Sequence, residues 1–169
     1  VAIGYASQLA YKRKLDKKMI LPLLYPTASF VFLISLYSEF GAMVLFWLLI
    51  IVAATDTGAY FAGKTFGRTP FCETSPNKTL EGVVGGMIFA VIMGIFTSIN
   101  EVGILGAIIV SAIVSLSSVF GDLYESYLKR EAGVKDSGNI LPGHGGVLDR
   151  VDGYLFGAIV MLVLLRIII

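Results

Sequence analysis

Carboxylates, basic residues and glycines are concentrated in one stretch of the chain, between Gly121 and Asp152. Asp149 and Asp152 are three residues apart, so they share a face in the first turn of the helix predicted to follow. Asp122 lies near the end of the preceding helix, and the two helix ends can direct three carboxylates towards one point. Such hard oxygen ligands suit Mg²⁺, which binds a few carboxylates together with substrate phosphates. Capping of the following helix is the ordinary structural alternative for Asp149 and Asp152.

The basic residues of the same stretch are suited to hold phosphate oxygens by charge-assisted hydrogen bonds. They are Lys129, Arg130, Lys135 and Arg150. The run from Pro142 to Gly146 lets backbone amides come close to a phosphate, because glycine has no side chain. It contains His144, the single histidine, for which a structural role is equally open. An ordinary solvated loop would also account for these glycines.

A second polar group precedes this stretch. Asp56 and Tyr60 lie near the end of an apolar segment, and an acid at the bilayer centre costs about 2–3 kcal/mol on insertion scales. Asp56 is therefore predicted to face a cavity or a partner, unless its position is shallow and hydrated. Ser75 and Lys78 are placed to bind phosphate at the N-terminus of the next helix. Thr79, like its neighbour Asn77, is also a good N-cap for that helix.

The composition predicts that membrane helices position these residues. The chain has 169 residues, 56% hydrophobic and 15% charged, whereas soluble domains average about 25% charged residues. Lipid offers no partner to a free backbone amide, so the apolar segments must be helical. We predict an all-α, polytopic transmembrane bundle. Its five spans are Met19–Tyr37, Ala42–Gly63, Gly82–Ile99, Ile104–Phe120 and Tyr154–Ile169. We expect one catalytic domain over residues 1–169, as the later part of a longer protein with Val1–Tyr11 ending an earlier span.

The basic residues predict the orientation of the bundle. All but one of the 13 lysines and arginines fall in alternate loops, and such loops face the cytoplasm in membrane proteins. The exception, Arg166, lies near the outer end of the last span, where its side chain can reach the interface. The polar loops should therefore meet cytoplasmic nucleotides. Cys72, the single cysteine, cannot form an internal disulfide and is read as incidental.

The motifs resemble those of the CDP-diacylglycerol synthase family, also called phosphatidate cytidylyltransferases. The long family signature, S-x-L-K-R, K-D, P-x-H-G-G and D-R-x-D, is met without a gap. Its matching residues are Ser126, Lys129, Arg130, Lys135, Asp136, Pro142, His144, Gly145, Gly146, Asp149, Arg150 and Asp152. The resemblance also covers residues 56–60, residues 75–82 and Gly121-Asp122. Asn77 stands where a second lysine is common, and relatives usually carry more helices upstream.

The resemblance implies transfer of CMP from CTP to phosphatidate, giving CDP-diacylglycerol and pyrophosphate in phospholipid biosynthesis. It implies Mg²⁺, with a second cation left open, held by Asp149, Asp152 and Asp122, with Asp56 as a further contributor. The residues expected to act in catalysis are Asp122, Ser126, Lys129, Arg130, Lys135, Asp136, His144 and Arg150. Those expected to bind substrate are Ser75, Lys78, Thr79, Gly145, Gly146 and Tyr60.

We expect a bacterial inner membrane protein, whose active site faces the cytoplasm because of the distribution of its basic residues. Its expected partners are CTP, phosphatidate and the lipid bilayer; nucleic acid is not expected, and a homodimer is left open. The related alternatives are a cytidylyltransferase acting on an archaeal or polyprenyl lipid phosphate, and a CTP-dependent lipid kinase. A transporter using the intramembrane acids is a different class, but no inverted repeat is visible and the charges gather at one surface.

Overall fold

The described part of the chain is a set of three long helices. A computed structural model describes residues 17–72, 75, 78–134, 136–138 and 146–169. These residues form α1 (Lys17–Phe66), α2 (Leu80–Glu131) and α3 (Leu148–Ile168). Among them the only extended pairing is the isolated bridge between Pro70 and Thr79. The predicted all-α, multi-pass membrane fold is confirmed.

Glycine breaks divide the two longest helices. Gly41 in α1 has φ 81° and ψ −174°, and Gly103 in α2 has φ 68° and ψ 171°. This backbone region is essentially restricted to glycine. The 52 residues of α2 would span about 78 Å as a straight helix, more than twice the hydrocarbon core of about 30 Å. Each break therefore separates two of the predicted spans.

The two halves of α2 fold back on each other at Gly103. A Cβ built on Gly94 would lie 1.9 Å from Ser111 Oγ, and these two positions flank Gly103 almost symmetrically. Farther out, Lys78, just before the helix, pairs with Asp122 in its second half. Such contacts at increasing distance from Gly103 define an antiparallel helical hairpin.

Within the described part of the chain, four helical stretches are long and apolar enough to cross a membrane. They are Tyr25–Phe66, Leu80–Ser98, Val102–Glu131 and Leu148–Ile168. The first contains the break at Gly41 and accounts for two predicted spans, so the expectation of about five is confirmed. The boundaries differ, because α2 continues beyond the predicted end at Phe120.

A Schellman motif ends α2 eleven residues later than predicted. The Gly133 amide donates to Arg130 O at 3.1 Å, and the Val134 amide donates to Lys129 O at 3.0 Å. Gly133 adopts φ 71°, which glycine tolerates without strain. The polar residues between Asp122 and Arg130 are consequently helical, and their spacing along one face can be read directly.

The core of the bundle lies between the three helices. Trp47 and Leu48 of α1, Val114 of α2, and Met161 and Leu165 of α3 are all buried. Large apolar side chains also cover the outside, with Phe96 79% exposed. Exposure of this kind fits a protein whose outer surface meets lipid.

Small residues let α1 and α2 approach closely near the polar loops. A Cβ on Gly58 would lie 3.0 Å from Gly85 O, and one on Gly86 would lie 2.6 Å from Thr55 O. The buried Thr55 hydroxyl also donates to Ser115 Oγ at 2.8 Å. Close backbone approach through small residues is typical of membrane helix interfaces, and here it fixes the position of Asp56.

An ion pair links the middle of α1, at its glycine break, to the end of α3. Arg166 Nε donates to Glu39 Oε2 at 2.9 Å, next to the break at Gly41. Arg166 was predicted to reach the interface near the outer end of the last span. Its partner comes from the loop predicted to lie on that same side.

Candidate active site

Three carboxylates meet where the end of α2 packs against the start of α3. One oxygen from each of Asp122, Glu125 and Asp152 lies within 4.8 Å of the others. Asp122 and Glu125 are three residues apart in α2, so they share a face. We call these three residues the carboxylate trio. Their separation allows a single cation to contact all three.

A glycine contact brings the two helices together at the trio. A Cβ on Gly121 would lie 2.8 Å from the backbone oxygen of Asp152 and 3.0 Å from Phe156 Cβ. Directly after Asp152 in α3, a Cβ on Gly153 would lie 3.4 Å from Ser118 Cβ. A side chain at position 121 would push α3 away and separate Asp152 from the other two acids.

Glu125 is the most buried member of the trio. It is 1% exposed, and its ammonium partner is Lys129, one turn along the same helix. Apart from that ion pair, neither carboxylate oxygen has a hydrogen-bond partner among the described residues. A buried charged group with unused acceptor capacity is costly, so this site favours an added cation.

Lysines approach the trio from two sides. Lys78 pairs with Asp122 from the loop before α2, and the Lys78 side chain is 27% exposed. Lys129 pairs with Glu125 and also with Asp149 Oδ1, at 2.7 Å. Both lysines were predicted to hold phosphates, and both lie at the trio.

Asp149 lies beside the trio but outside it. Its carboxylate accepts hydrogen bonds from Lys129 Nζ at 2.7 Å, the Gly146 amide at 2.7 Å, and the Ser137 amide and hydroxyl, both at 2.9 Å. These donors use most of its acceptor positions. Asp149 thereby ties two points of the α2–α3 connection, Ser137 and Gly146, to Lys129. Of the three acids predicted to converge, the structure brings Asp122 and Asp152 together and adds Glu125.

Two adjoining cavities open onto the trio. The first, the Lys78 cavity, has a volume of about 440 Å³ and is lined by Asp56, Tyr60, Lys78, Thr79 and Asp122 among others. The second, the Asp149 cavity, has about 380 Å³, and its lining includes Asp149 and Asp152. Asp56 and Asp122 line both cavities. Asp56 thus faces a cavity, as predicted.

The loop before α2 holds Lys78 in place. The Phe71 amide donates to Lys78 O at 2.8 Å, and the Lys78 amide donates to Ser75 O at 3.0 Å. Thr79 caps α2 by accepting from the Gly82 amide at 3.2 Å. Glu81 accepts from the amides of residues 68 and 69 and from the Thr69 hydroxyl. The cap predicted at Thr79 is confirmed, and it orients Lys78 towards the cavity.

The remaining predicted residues are distributed around this centre. Ser126 Oγ lies 3.5 Å from Asp122 Oδ1, and Lys64 Nζ lies 5.6 Å from the centre of the Tyr60 ring. Arg130, Asp136 and Arg150 are exposed at the same end of the bundle. Lys135, His144 and Gly145 lie outside the described residues.

The comparison with known proteins decides the family. A family model described as "Cytidylyltransferase family" matches residues 8–168. The chain belongs to the cytidylyltransferase family. The resemblance inferred from its motifs is confirmed.

Curated relatives of this family member share the name phosphatidate cytidylyltransferase. The protein of Helicobacter pylori strain J99 is 52% identical over 166 residues, which cover 97% of this chain and 62% of the relative. That of Thermotoga maritima is 39% identical over 155 residues, 86% of this chain and 57% of the relative. That of Bacillus subtilis is 44% identical over 122 residues, 70% of this chain and 45% of the relative. The chain thus spans about three fifths or less of the length of these proteins.

One residue of the site in this cytidylyltransferase family member was not predicted from the sequence. Glu125 immediately precedes the family signature and was read only as part of a charged stretch. Two signals were present: it lies three residues after Asp122 and four before Lys129. At those spacings an acid shares the helical face of both neighbours. Its burial could be known only once Asp152 and α3 were in place.

Proposed function

We propose that this chain carries the catalytic site of a phosphatidate cytidylyltransferase, which transfers CMP from CTP to phosphatidate and gives CDP-diacylglycerol and pyrophosphate. The observation that carries the proposal is the carboxylate trio between Lys78 and Lys129, in a chain of the cytidylyltransferase family. The proposal also draws on the printed names of the relatives. It includes a location in a bacterial inner membrane, with the site on the cytoplasmic side, where CTP is found.

The trio fits Mg²⁺ by the chemistry of its donors. Asp122, Glu125 and Asp152 offer three hard oxygen ligands within 4.8 Å, and apart from the ion pair with Lys129 the buried oxygens of Glu125 have no hydrogen-bond partner among the described residues. A bound Mg²⁺ would supply Lewis-acid stabilisation for the phosphates and the departing pyrophosphate. Asp56, which lines both adjoining cavities, is placed to serve a second cation. Asp149 positions Lys129. It can also become a ligand of the cation if it releases one of the hydrogen bonds that it now accepts.

The proposed reaction is an in-line displacement at phosphorus. A phosphate oxygen of phosphatidate attacks the α-phosphorus of CTP and forms a new P–O bond. The bond from that phosphorus to the oxygen bridging the β-phosphate breaks, and pyrophosphate leaves with the electron pair. A phosphate monoester has its second pKa at about 6, so the nucleophile is largely dianionic at neutral pH and needs no general base.

The difficulty of this reaction lies in bringing two anions together. Lys78 lines the cavity next to Asp122, where its ammonium can neutralise phosphate charge. Lys129 joins Glu125 to Asp149 and keeps both acids in position. Preorganised charges of this kind act mainly by positioning and by stabilising the charge that develops in the transition state.

The test uses the full-length protein from which the chain comes, solubilised in detergent. It is incubated with phosphatidate, Mg²⁺ and CTP labelled either at the α- or at the γ-phosphate. Cytidylyl transfer predicts labelled lipid from α-labelled CTP and labelled pyrophosphate from γ-labelled CTP. Lipid labelled from the γ-position would instead identify a kinase and overturn the proposal.

Substrate choice is tested in the same assay. Replacing phosphatidate by a polyprenyl phosphate should abolish transfer, because the proposal assigns a diacylglycerol phosphate as acceptor. Transfer to the polyprenyl phosphate alone would contradict the assigned substrate while keeping the reaction class. Asp152→Asn serves as the inactive control, and Glu39→Gln, on the opposite side of the bundle, serves as the active one.

A further inference from the structure

A third cavity adjoins the carboxylate trio. The Tyr25 cavity, of about 440 Å³, lies between the start of α1, the end of α2 and the start of α3. Its walls are largely hydrocarbon, from Pro26, Leu128, Ala132, Val134 and Leu148. Glu125 and Lys129 also line it, so one of its sides is formed by residues that belong to the site already described.

The Tyr25 cavity and the Lys78 cavity follow one another along a single face of α2. Asp122 lines the Lys78 cavity, and Glu125, one turn further on, lines the Tyr25 cavity. Residues at this spacing lie on the same side of a helix. The trio therefore marks the junction of the two cavities, where two ligands would have to meet in order to react.

Tyr25 presents an unpartnered hydroxyl at this junction. Its ring packs edge-on against Tyr124, with 5.1 Å between ring centroids, and lies 5.3 Å from the ring of Phe156. The hydroxyl oxygen is buried and has no hydrogen-bond partner among the described residues. A rigidly held donor without an acceptor is unusual in a packed interior and indicates that a ligand supplies the acceptor.

The two cavities differ in polarity and therefore suit different ligands. Asp56, Lys64, Lys78 and Thr79 line the Lys78 cavity, which matches the hydroxyls, phosphates and base of a nucleotide. The Tyr25 cavity has mainly apolar walls, and its polar lining consists of the Lys129 ammonium, the Tyr25 and Ser137 hydroxyls and the carboxylates of Glu125 and Glu131. That combination matches a phosphate monoester attached to a lipid.

We propose that the Tyr25 cavity receives the lipid substrate, and that the Tyr25 hydroxyl donates a hydrogen bond to its phosphate. The inference rests on the proposed cytidylyltransferase function and assigns its acceptor subsite. Tyr25 is thereby a substrate-binding residue contributed by α1, far from the signature motifs in sequence. The nucleotide occupies the Lys78 cavity, and the two phosphates meet at the trio.

The first test is Tyr25→Phe in the full-length protein, which removes only the hydroxyl and keeps the ring packing. A lost hydrogen bond to a charged group predicts a KM for phosphatidate raised about tenfold, with the KM for CTP unchanged. Tyr37→Phe is the matched control, because Tyr37 lies on the same helix and is exposed. Unchanged kinetics in Tyr25→Phe, or an equal rise in the KM for CTP, would overturn the assignment.

A binding measurement without turnover complements the kinetics. Phosphatidate should raise the Tm of the wild-type protein in EDTA and without CTP, and Tyr25→Phe should reduce that rise. Ala132→Trp provides a second variant, because Ala132 is exposed after the last turn of α2 and lines the cavity. It should raise the lipid KM without changing the Tm of the lipid-free protein.

These outcomes separate the two proposals. A wild-type protein that transfers no CMP to lipid would contradict the proposed function itself. An active wild-type protein in which both Tyr25→Phe and Ala132→Trp keep the normal lipid KM would contradict only the assignment of this cavity.

Discussion

Lys78 and Asp122 form an ion pair across 44 residues of chain. The contact exists because α2 folds back at Gly103, which returns the second half of the helix to the loop where the first half begins. It brings the phosphate-binding loop predicted before α2 to the acid predicted near its end. The pair therefore joins two motifs that the sequence shows only separately.

Replacing Lys78 should affect catalysis far more than stability. Lys78→Met is expected to lower kcat/KM for CTP about 10- to 100-fold, because a charge-assisted contact to phosphate is lost. The free energy of unfolding should change by less than about 1 kcal/mol, since both partners of the ion pair are partly exposed. Steady-state kinetics and thermal unfolding measure the two effects. Lys78→Arg keeps the charge and should recover part of the rate; wild-type CTP kinetics in Lys78→Met would refute the phosphate contact.

Glu125→Gln tests the residue that the motifs did not reveal. We expect a loss of about 100-fold in the rate of CMP transfer, and a higher Mg²⁺ concentration for half-maximal rate, because one ligand oxygen becomes an amide. The Tm in EDTA should stay equal or rise, since a buried charge without full hydrogen bonding is removed. Glu39→Gln, the same change at an exposed acid on the other side, should keep the wild-type rate. An unaltered Mg²⁺ dependence in Glu125→Gln would exclude Glu125 from the cation site.

Gly121→Ala tests the close contact of α2 and α3. The new Cβ would meet Asp152 O at 2.8 Å, and overpacking of this kind costs about 1–3 kcal/mol. Since the displaced residue belongs to the trio, the rate should fall together with Tm. Gly153→Ala is the matched control on the same interface, where the nearest atoms lie at 3.4 Å and a smaller effect is expected. Equal effects of the two substitutions would argue against the special role of the contact at Gly121.

Gly103→Ala tests the turn on which the Lys78–Asp122 pair depends. No atom lies within 4 Å of a Cβ at this position, so any effect comes from backbone conformation alone. An L-residue at φ 68° and ψ 171° is expected to cost about 1–3 kcal/mol. Thermal unfolding in detergent measures this loss. A Tm equal to that of the wild type would show that the chain reaches the same hairpin with a different backbone conformation at residue 103.

Much of the architecture could be predicted because the bilayer constrains it strongly. Apolar segments of sufficient length must be helical in lipid, and the five predicted spans match the described helices divided at Gly41 and Gly103. The ends of the helices were predicted less accurately. The end of α2 was placed too early, because residues after Phe120 are polar although they remain helical up to the Schellman motif at Gly133.

The site could be predicted only in part. Asp122, Asp152, Lys78 and Lys129 were selected from residue type and spacing, and the structure brings them together. Glu125 was missed because its burial depends on α3 packing against α2, a contact without a local sequence signal. Tyr25 was missed because it lies far from every motif in sequence and meets the other helices only through tertiary packing.

By itself, the sequence determined that this is a helical membrane protein with most of its basic residues at one end of the bundle, and its motifs carried the resemblance to the cytidylyltransferase family. Hydropathy and local spacing suffice for the helices, because they act within a single helix. Only the tertiary structure decided which acids meet, that Asp149 binds Lys129 and backbone amides beside the trio, and that a tyrosine of α1 completes the junction. Those relationships depend on how closely neighbouring helices approach, which Gly121 and Gly103 permit and which no single helix contains.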